Sequence, residues 1–142
     1  MFALQMKILL TLSLIITCCL PQLVAQPPTQ LTVTVQTIRP LKGSIKLQMV
    51  DATNKEVFQK ISAVTAKTLT LIIPVSKVGK YAINILHDKN NNNKLDTNIL
   101  GIPTEGWGCS NDARGVMSAP KFANKLFSVS ANKSIIINLV YY

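Results

Sequence analysis

Leu69-Thr70-Leu71-Ile72-Ile73-Pro74-Val75-Ser76-Lys77-Val78-Gly79-Lys80-Tyr81-Ala82-Ile83-Asn84-Ile85 is the stretch that decides the fold class. Leu69, Leu71, Ile73 and Val75 fall on one face of an extended chain, Lys77-Val78-Gly79 turns it, and Tyr81, Ile83 and Ile85 resume the alternation. Strand side chains point to opposite faces with period two, so each run lays one apolar stripe against a core. The same period runs through Leu31, Val33 and Val35, through Ile45, Leu47 and Met49, and through Ile135, Ile137, Leu139 and Tyr141. It is weaker over 57–64 and 126–129, and no window of useful length carries a capped helical period. Turn chemistry at 40–43 and 52–54 separates the runs. About seven short strands at this spacing predict an all-β chain folded as a single antiparallel β-sandwich.

The first 25 residues read differently. Lys7 precedes a largely apolar run from Ile8 to Leu20, Pro21 breaks it, and Leu23-Val24-Ala25 leads to Gln26. A basic start, a short apolar centre and a small residue at the cut describe a secretory signal peptide over 1–25, followed by one β-sandwich domain over 26–142. The run is short for an uncleaved anchor, and no later apolar run approaches the roughly 20 residues of a spanning helix. Ile15-Ile16-Thr17 does not supply the small pair expected before a lipidated Cys18 or Cys19. Removal of the signal leaves Cys109 as the sole thiol, so the exported domain must hold together without an internal disulfide.

From Asp88 to Lys125 the alternation stops, although strands flank the segment on both sides. A connection this long is uncommon in a compact domain and signals function or local structure of its own. The 142-residue chain carries 15 Lys+Arg against 6 Asp+Glu, yet four of those carboxylates (Asp88, Asp96, Glu105 and Asp112) lie within 88–112 beside only Lys89 and Lys94. The same segment holds the single tryptophan, Trp107, which is the candidate partner-binding residue.

Asp88, Asn90, Asn92 and Asp96 match positions 1, 3, 5 and 9 of an EF-hand-type calcium loop, with the main-chain carbonyl of Lys94 at position 7. A tight turn of Asx residues aims alternate oxygens at one centre, and calcium accepts six to eight hard oxygens in irregular geometry. Leu95 is expected as a buried staple beneath this loop. The pattern departs from the full motif at Asn93, where glycine usually turns the chain, and at Ile99, where a bidentate Glu belongs. Glu105 and Asp112 are the candidates for the missing carboxylate. The competing reading, a run of Asx turns closed by its own side chains without a metal, ranks ahead of calcium.

No signature of a serine hydrolase elbow, zinc protease, P-loop or dinucleotide site is present. A Cys109–His87 nucleophile pair and a carboxylate pair built from Glu105 with Asp88 or Asp112 are the only catalytic combinations the residue types offer. The lysines are dispersed over strands and turns, as expected for solubility and protection of sheet edges. Their functional alternative is attraction to an acidic envelope surface or to another envelope protein. Nucleic acid is excluded as a partner by export and by the lack of interleaved aromatics.

An ordered series runs through Gly79-Lys80-Tyr81-Ala82-Ile83, His87-Asp88 with Asn90, Asn92, Leu95 and Asp96, then Gly101-Ile102-Pro103-Thr104-Glu105-Gly106-Trp107-Gly108, Ser110-Asn111, Pro120, Phe122, Ala123 and Phe127. This series resembles the bacterial family known as domain of unknown function 2141, from about the first strand to the C-terminus. The resemblance implies an exported, immunoglobulin-like or transthyretin-like β-sandwich of a Gram-negative bacterium, in the periplasm or outer envelope, with no assigned enzymatic activity. It also implies that the acidic loop and the glycine-rich stretch form one module. Cys109 departs from the resemblance, which has an aromatic residue there.

Together these observations predict a non-enzymatic β-sandwich. Its long loop is organised locally, around calcium or around itself, and displays Trp107 to a ligand or partner. The rivals are a periplasmic hydrolase using Glu105, Asp112 or Cys109, and an accessory module whose loop only covers one end of the sandwich.

Overall fold

The computed structural model describes residues 29–116 and 118–142; the signal-peptide reading of 1–25 lies outside them. Eight strands form two sheets: β1 (Thr29–Gln36), β2 (Ser44–Asp51), β3 (Glu56–Ala63), β4 (Leu69–Val75), β5 (Gly79–Asp88), β6 (Gly106–Cys109), β7 (Phe127–Val129) and β8 (Lys133–Asn138). The smaller sheet has the order β4-β1-β8 and the larger β3-β2-β5-β6, with β7 also on β5. A one-turn helix, α1 (Phe122–Lys125), and a 3-10 turn at Ser110–Asp112 complete the ordered elements. No helix among the described residues is long and apolar enough to cross a membrane.

The alternating runs supply the core as expected. Leu31, Val33 and Val35 from β1 pack with Leu71, Ile73 and Val75 from β4 and with Ile137 from β8. Ile45, Leu47, Met49, Tyr81, Ile83 and Ile85 cover them from the larger sheet, joined by Phe127 and Val129. Each such side chain contributes about 1.5–3 kcal/mol when taken from water. Two features depart from the sequence expectation. All pairings are antiparallel except β1 with β8, which run parallel over Leu31–Gln36 and Lys133–Asn138. The 88–125 insertion is divided by β6, which pairs with the second half of β5 from Asn84 to His87.

The β5 strand carries two short partners end to end. β7 pairs with Gly79–Tyr81 and β6 with Asn84–His87. Ser110 fills the gap between them: its hydroxyl accepts from Ile83 N (3.0 Å) and donates to Lys125 O (2.5 Å), and the residue is fully buried. Asn111, at φ 62°, donates from its amide to Asn124 O and Leu126 O. These bonds tie the chain leaving β6 to the chain entering β7. Beyond β8, Trp107 and Val140 exchange main-chain bonds (Trp107 N to Val140 O 3.1 Å, Val140 N to Trp107 O 2.8 Å), which joins the C-terminal segment to the free edge of β6.

Candidate binding site

The far side of the larger sheet, away from the core, carries a second set of residues. Register places Lys46 of β2, Leu86 of β5 and Trp107 of β6 in one row across that face, and Gln48, Asn84 and Cys109 in the next. Gly106 and Gly108 occupy the core side of β6. A Cβ at Gly106 would collide with the ring of Tyr141, and one at Gly108 would sit 2.9 Å from Ile137 Cγ2. The Gly-Trp-Gly-Cys sequence therefore lets β6 lie close over the core while turning Trp107 outward.

Two loops rise beside this row. The first runs from Asp88 to Glu105. Asp88 is fully buried, and its carboxylate accepts from Asn92 N (3.1 Å) and Asn93 N (2.7 Å). The Lys46 ammonium lies 2.9 Å from Asp88 Oδ2 and also donates to Asn93 Oδ1. Burial pushes the Asp88 carboxyl up, but the Lys46 ammonium and the N–H groups of Asn93 and Asn92 outweigh it, and the carboxyl is held below its ordinary range. Asn90 and Asn92 close Asx turns onto Asn92 N and Lys94 N, and their amides donate to Asp96 at 2.7–2.9 Å. Glu105, almost fully buried, clamps the two ends by accepting from Lys89 N (2.8 Å) and Asp96 N (3.2 Å). Asn91 and Asn93 take the left-handed backbone, at φ 58° and 70°, which Asn adopts more readily than most residues.

Beyond Asp96 the chain forms a small closed hairpin. Thr97 bridges Pro103, Thr104 N donates to Asp96 O (2.9 Å), and the Asn98 side chain accepts from Leu100 N and Ile102 N. Its tip exposes Ile99 and Leu100. Leu95 is not the buried staple expected beneath the loop. It is 42% exposed and faces the space above Leu86 and Trp107, because Lys46, Asp88 and Glu105 already fill the ground under the loop.

The space is an open groove of about 1080 Å³. Leu86 and Trp107 form its floor, Leu95, Leu100 and Ile102 one wall, and Ala119 and Pro120 of the second loop, which leads into α1, the other, with Tyr142 at one end. Trp107 is held between the Arg114 guanidinium, 5.2 Å from its ring, and Tyr142, whose ring centre is 6.5 Å away. The indole Nε1–H is shielded and has no hydrogen-bond partner among the described residues.

The predicted ligand residues thus fall into two groups. Asp88, Asn90, Asn92, Asp96 and Glu105 converge on one loop with Lys94 N inside it, and every carboxylate oxygen there accepts from a protein donor. Asp112 stands apart, with its two oxygens taken by Asn138 N (2.8 Å) and Asn138 Nδ2 (2.6 Å). Among the described residues, no group of three or more His, Cys, Asp and Glu side chains is arranged to hold a metal ion.

Cys109 and His87 are not brought together. His87 is buried on the core side, with Nε2 2.7 Å from Lys42 O and Nδ1 2.8 Å from Tyr141 Oη. A carbonyl only accepts, so Nε2 carries the proton and Nδ1 accepts from the Tyr141 hydroxyl. Cys109, on the other face, donates its thiol to Ala113 O (3.2 Å), and burial pushes that thiol up. Sequence reasoning singled out Trp107 but missed Lys46, Leu86, Ile102, Lys125 and Tyr142. Leu86 puts an apolar side chain on the solvent side of β5, a signal that marks the outer face without showing what rises over it, whereas Lys46 fits the alternation of β2 and carries no such signal.

The fold and groove define a β-sandwich with a built concavity on one outer face. The chain belongs to the bacterial family described as "Uncharacterized protein conserved in bacteria (DUF2141)", whose sequence profile it matches over residues 33–137. No curated protein and no solved structure matches it.

Proposed function

We propose that this is an exported, non-enzymatic binding protein of the periplasm or outer envelope of a Gram-negative bacterium, and that its groove receives an apolar ligand. The observation that carries the reading is the apolar floor and wall of Leu86, Trp107, Leu95, Leu100 and Ile102 gathered around one concavity. Ligand sites are concave and lined mostly by apolar side chains with a few polar groups among them, which is the arrangement here. Export is supported by the basic, apolar and small-residue succession over 1–25 and by a domain whose one thiol is free and buried.

The Asx loop serves as the wall of that groove, and its cation is the Lys46 ammonium in place of calcium. The support is local: Lys46 sits on the first carboxylate of the calcium-like pattern, and the remaining oxygens have N–H donors. The hydrolase alternative lacks comparable support. Asp88 and Glu105 are buried under N–H donors, Asp112 is held by Asn138, and the Cys109 thiol is pushed away from its reactive thiolate form.

Titration with the neutral polarity-sensitive dye Nile red tests the groove. The reading expects saturable binding with blue-shifted emission, weakened about tenfold or more in Ile102→Glu, a substitution at a partly exposed wall position. Absence of saturable binding, or equal binding by Ile102→Glu, would overturn it.

A further inference from the structure

The groove has a charge asymmetry that narrows its ligand. Among the described residues no Asp or Glu lines it, whereas Lys46 and Lys125 do, and the Arg114 guanidinium stands over Trp107. Lys46 is neutralised by Asp88. Lys125, at the end of α1, is half-buried, and its ammonium is 2.9 Å from Asn84 Oδ1 and 5.7 Å from the centre of the Phe122 ring. No carboxylate among the described residues lies within ion-pair distance of it. An ammonium beside an apolar concavity, with a neutral amide and an aromatic face as its company, retains donors for an anion.

Asn84 is part of a polar row on the same face. Lys125 donates to Asn84 Oδ1, Asn84 donates to Gln48 Oε1 (3.1 Å), and Gln48 donates to Glu56 Oε2 (2.7 Å). The row borders the apolar floor, so polar and apolar ends are separated along the groove. A soluble sugar would meet one indole and many aliphatic side chains, a poor match to its hydroxyls. A single alkyl chain with an anionic head matches both ends.

Resting on the reading of the groove as a binding site, we infer that its ligand is a fatty acid. The alkyl chain lies over Leu86 and Trp107 against Leu95 and Ile102, and the carboxylate pairs with Lys125. The volume of about 1080 Å³ lies just above the roughly 300–1,000 Å³ of ordinary small-ligand sites, as expected of a groove open to solvent.

The test uses the protein expressed as its full chain, with bound Nile red displaced by dodecanoate below its micelle concentration. Dodecanoate is expected to displace the dye about tenfold more effectively than neutral dodecanol. Lys125→Met should bring the two to equal potency, each displacement being referred to that variant's own dye affinity, with an unchanged far-ultraviolet circular dichroism spectrum as the control for folding, and Lys125→Arg should restore the preference. Equal displacement by dodecanoate and dodecanol from the unsubstituted protein would overturn the inference. Displacement by maltohexaose without displacement by dodecanoate would overturn it in favour of a sugar. Dye that stays bound, remains sensitive to Ile102→Glu and ignores dodecanoate sinks the fatty acid alone and leaves the groove as a site. Failure of the dye to bind at all removes both.

Discussion

Lys46 Nζ of β2 lies 2.9 Å from Oδ2 of Asp88 at the end of β5, and only 12% of the lysine side chain is exposed. The pair sits where the larger sheet meets the Asx loop. The carboxylate that starts the loop is therefore fixed by a cation from a neighbouring strand, and the loop it starts becomes the wall of the groove.

Removing one partner of a buried pair leaves an uncompensated charge. Lys46→Met should lower stability by about 3 kcal/mol. Adding Asp88→Asn should recover part of that loss, since the amide still accepts one N–H and carries no charge. Chemical denaturation of the two single variants and the double variant reads this directly, with a coupling of about 1 kcal/mol or more.

The depressed carboxyl of Asp88 gives the fold a pH dependence of known sign. A group whose folded value lies below its unfolded value contributes stability fully above the unfolded value, near pH 4, and loses it as the pH falls below that. Stability should therefore drop more steeply below about pH 4 in the unsubstituted protein than in Asp88→Asn. Denaturant midpoints measured at successive acidic pH values check it.

Tyr141 joins the groove's sheet to the C-terminal segment from the core side. Its hydroxyl donates to His87 Nδ1 and accepts from Arg39 N (3.0 Å), and its ring covers Gly106. Tyr141→Phe should be destabilising by about 1–3 kcal/mol, because the buried His87 ring loses its partner. Gly106→Ala should be at least as harmful, since the new methyl group and the Tyr141 ring claim the same space. Thermal unfolding of both variants distinguishes these effects from the milder loss expected at an exposed position.

Cys109 is buried and its thiol is pushed up by that burial. Native protein should resist alkylation by iodoacetamide at pH 8, and protein unfolded in guanidinium should react at the rate of a free thiol. Mass spectrometry after timed quenching reads the difference.

The strands were legible wherever one face meets the core and the other meets water. Leu31, Val33 and Val35 alternate because one face of β1 meets the core, and the structure buries all three. β3 was weaker in sequence because neither of its faces is buried, Val57 and Ile61 both being exposed. β6 was invisible: Gly106 and Gly108 have no side chains to alternate, and the strand exists through its pairing with β5 and Val140. Alternation assigns faces without assigning partners, so the parallel pairing of β1 with β8 was not readable either. In the loop, the turns of Asn90 and Asn92 follow from local spacing, whereas the contribution of Lys46 depends on a strand 42 residues before Asp88.

If Lys46, Asp88 and Glu105 hold the groove wall with the chain's own charges, the site stands without an added ion. The most direct test is the Nile red dissociation constant of the full chain measured once in excess EDTA and once in millimolar calcium. The same constant is expected in both. Binding that requires calcium, and is lost on chelation, would contradict it and return Asp88, Asn90, Asn92 and Asp96 to the role of metal ligands.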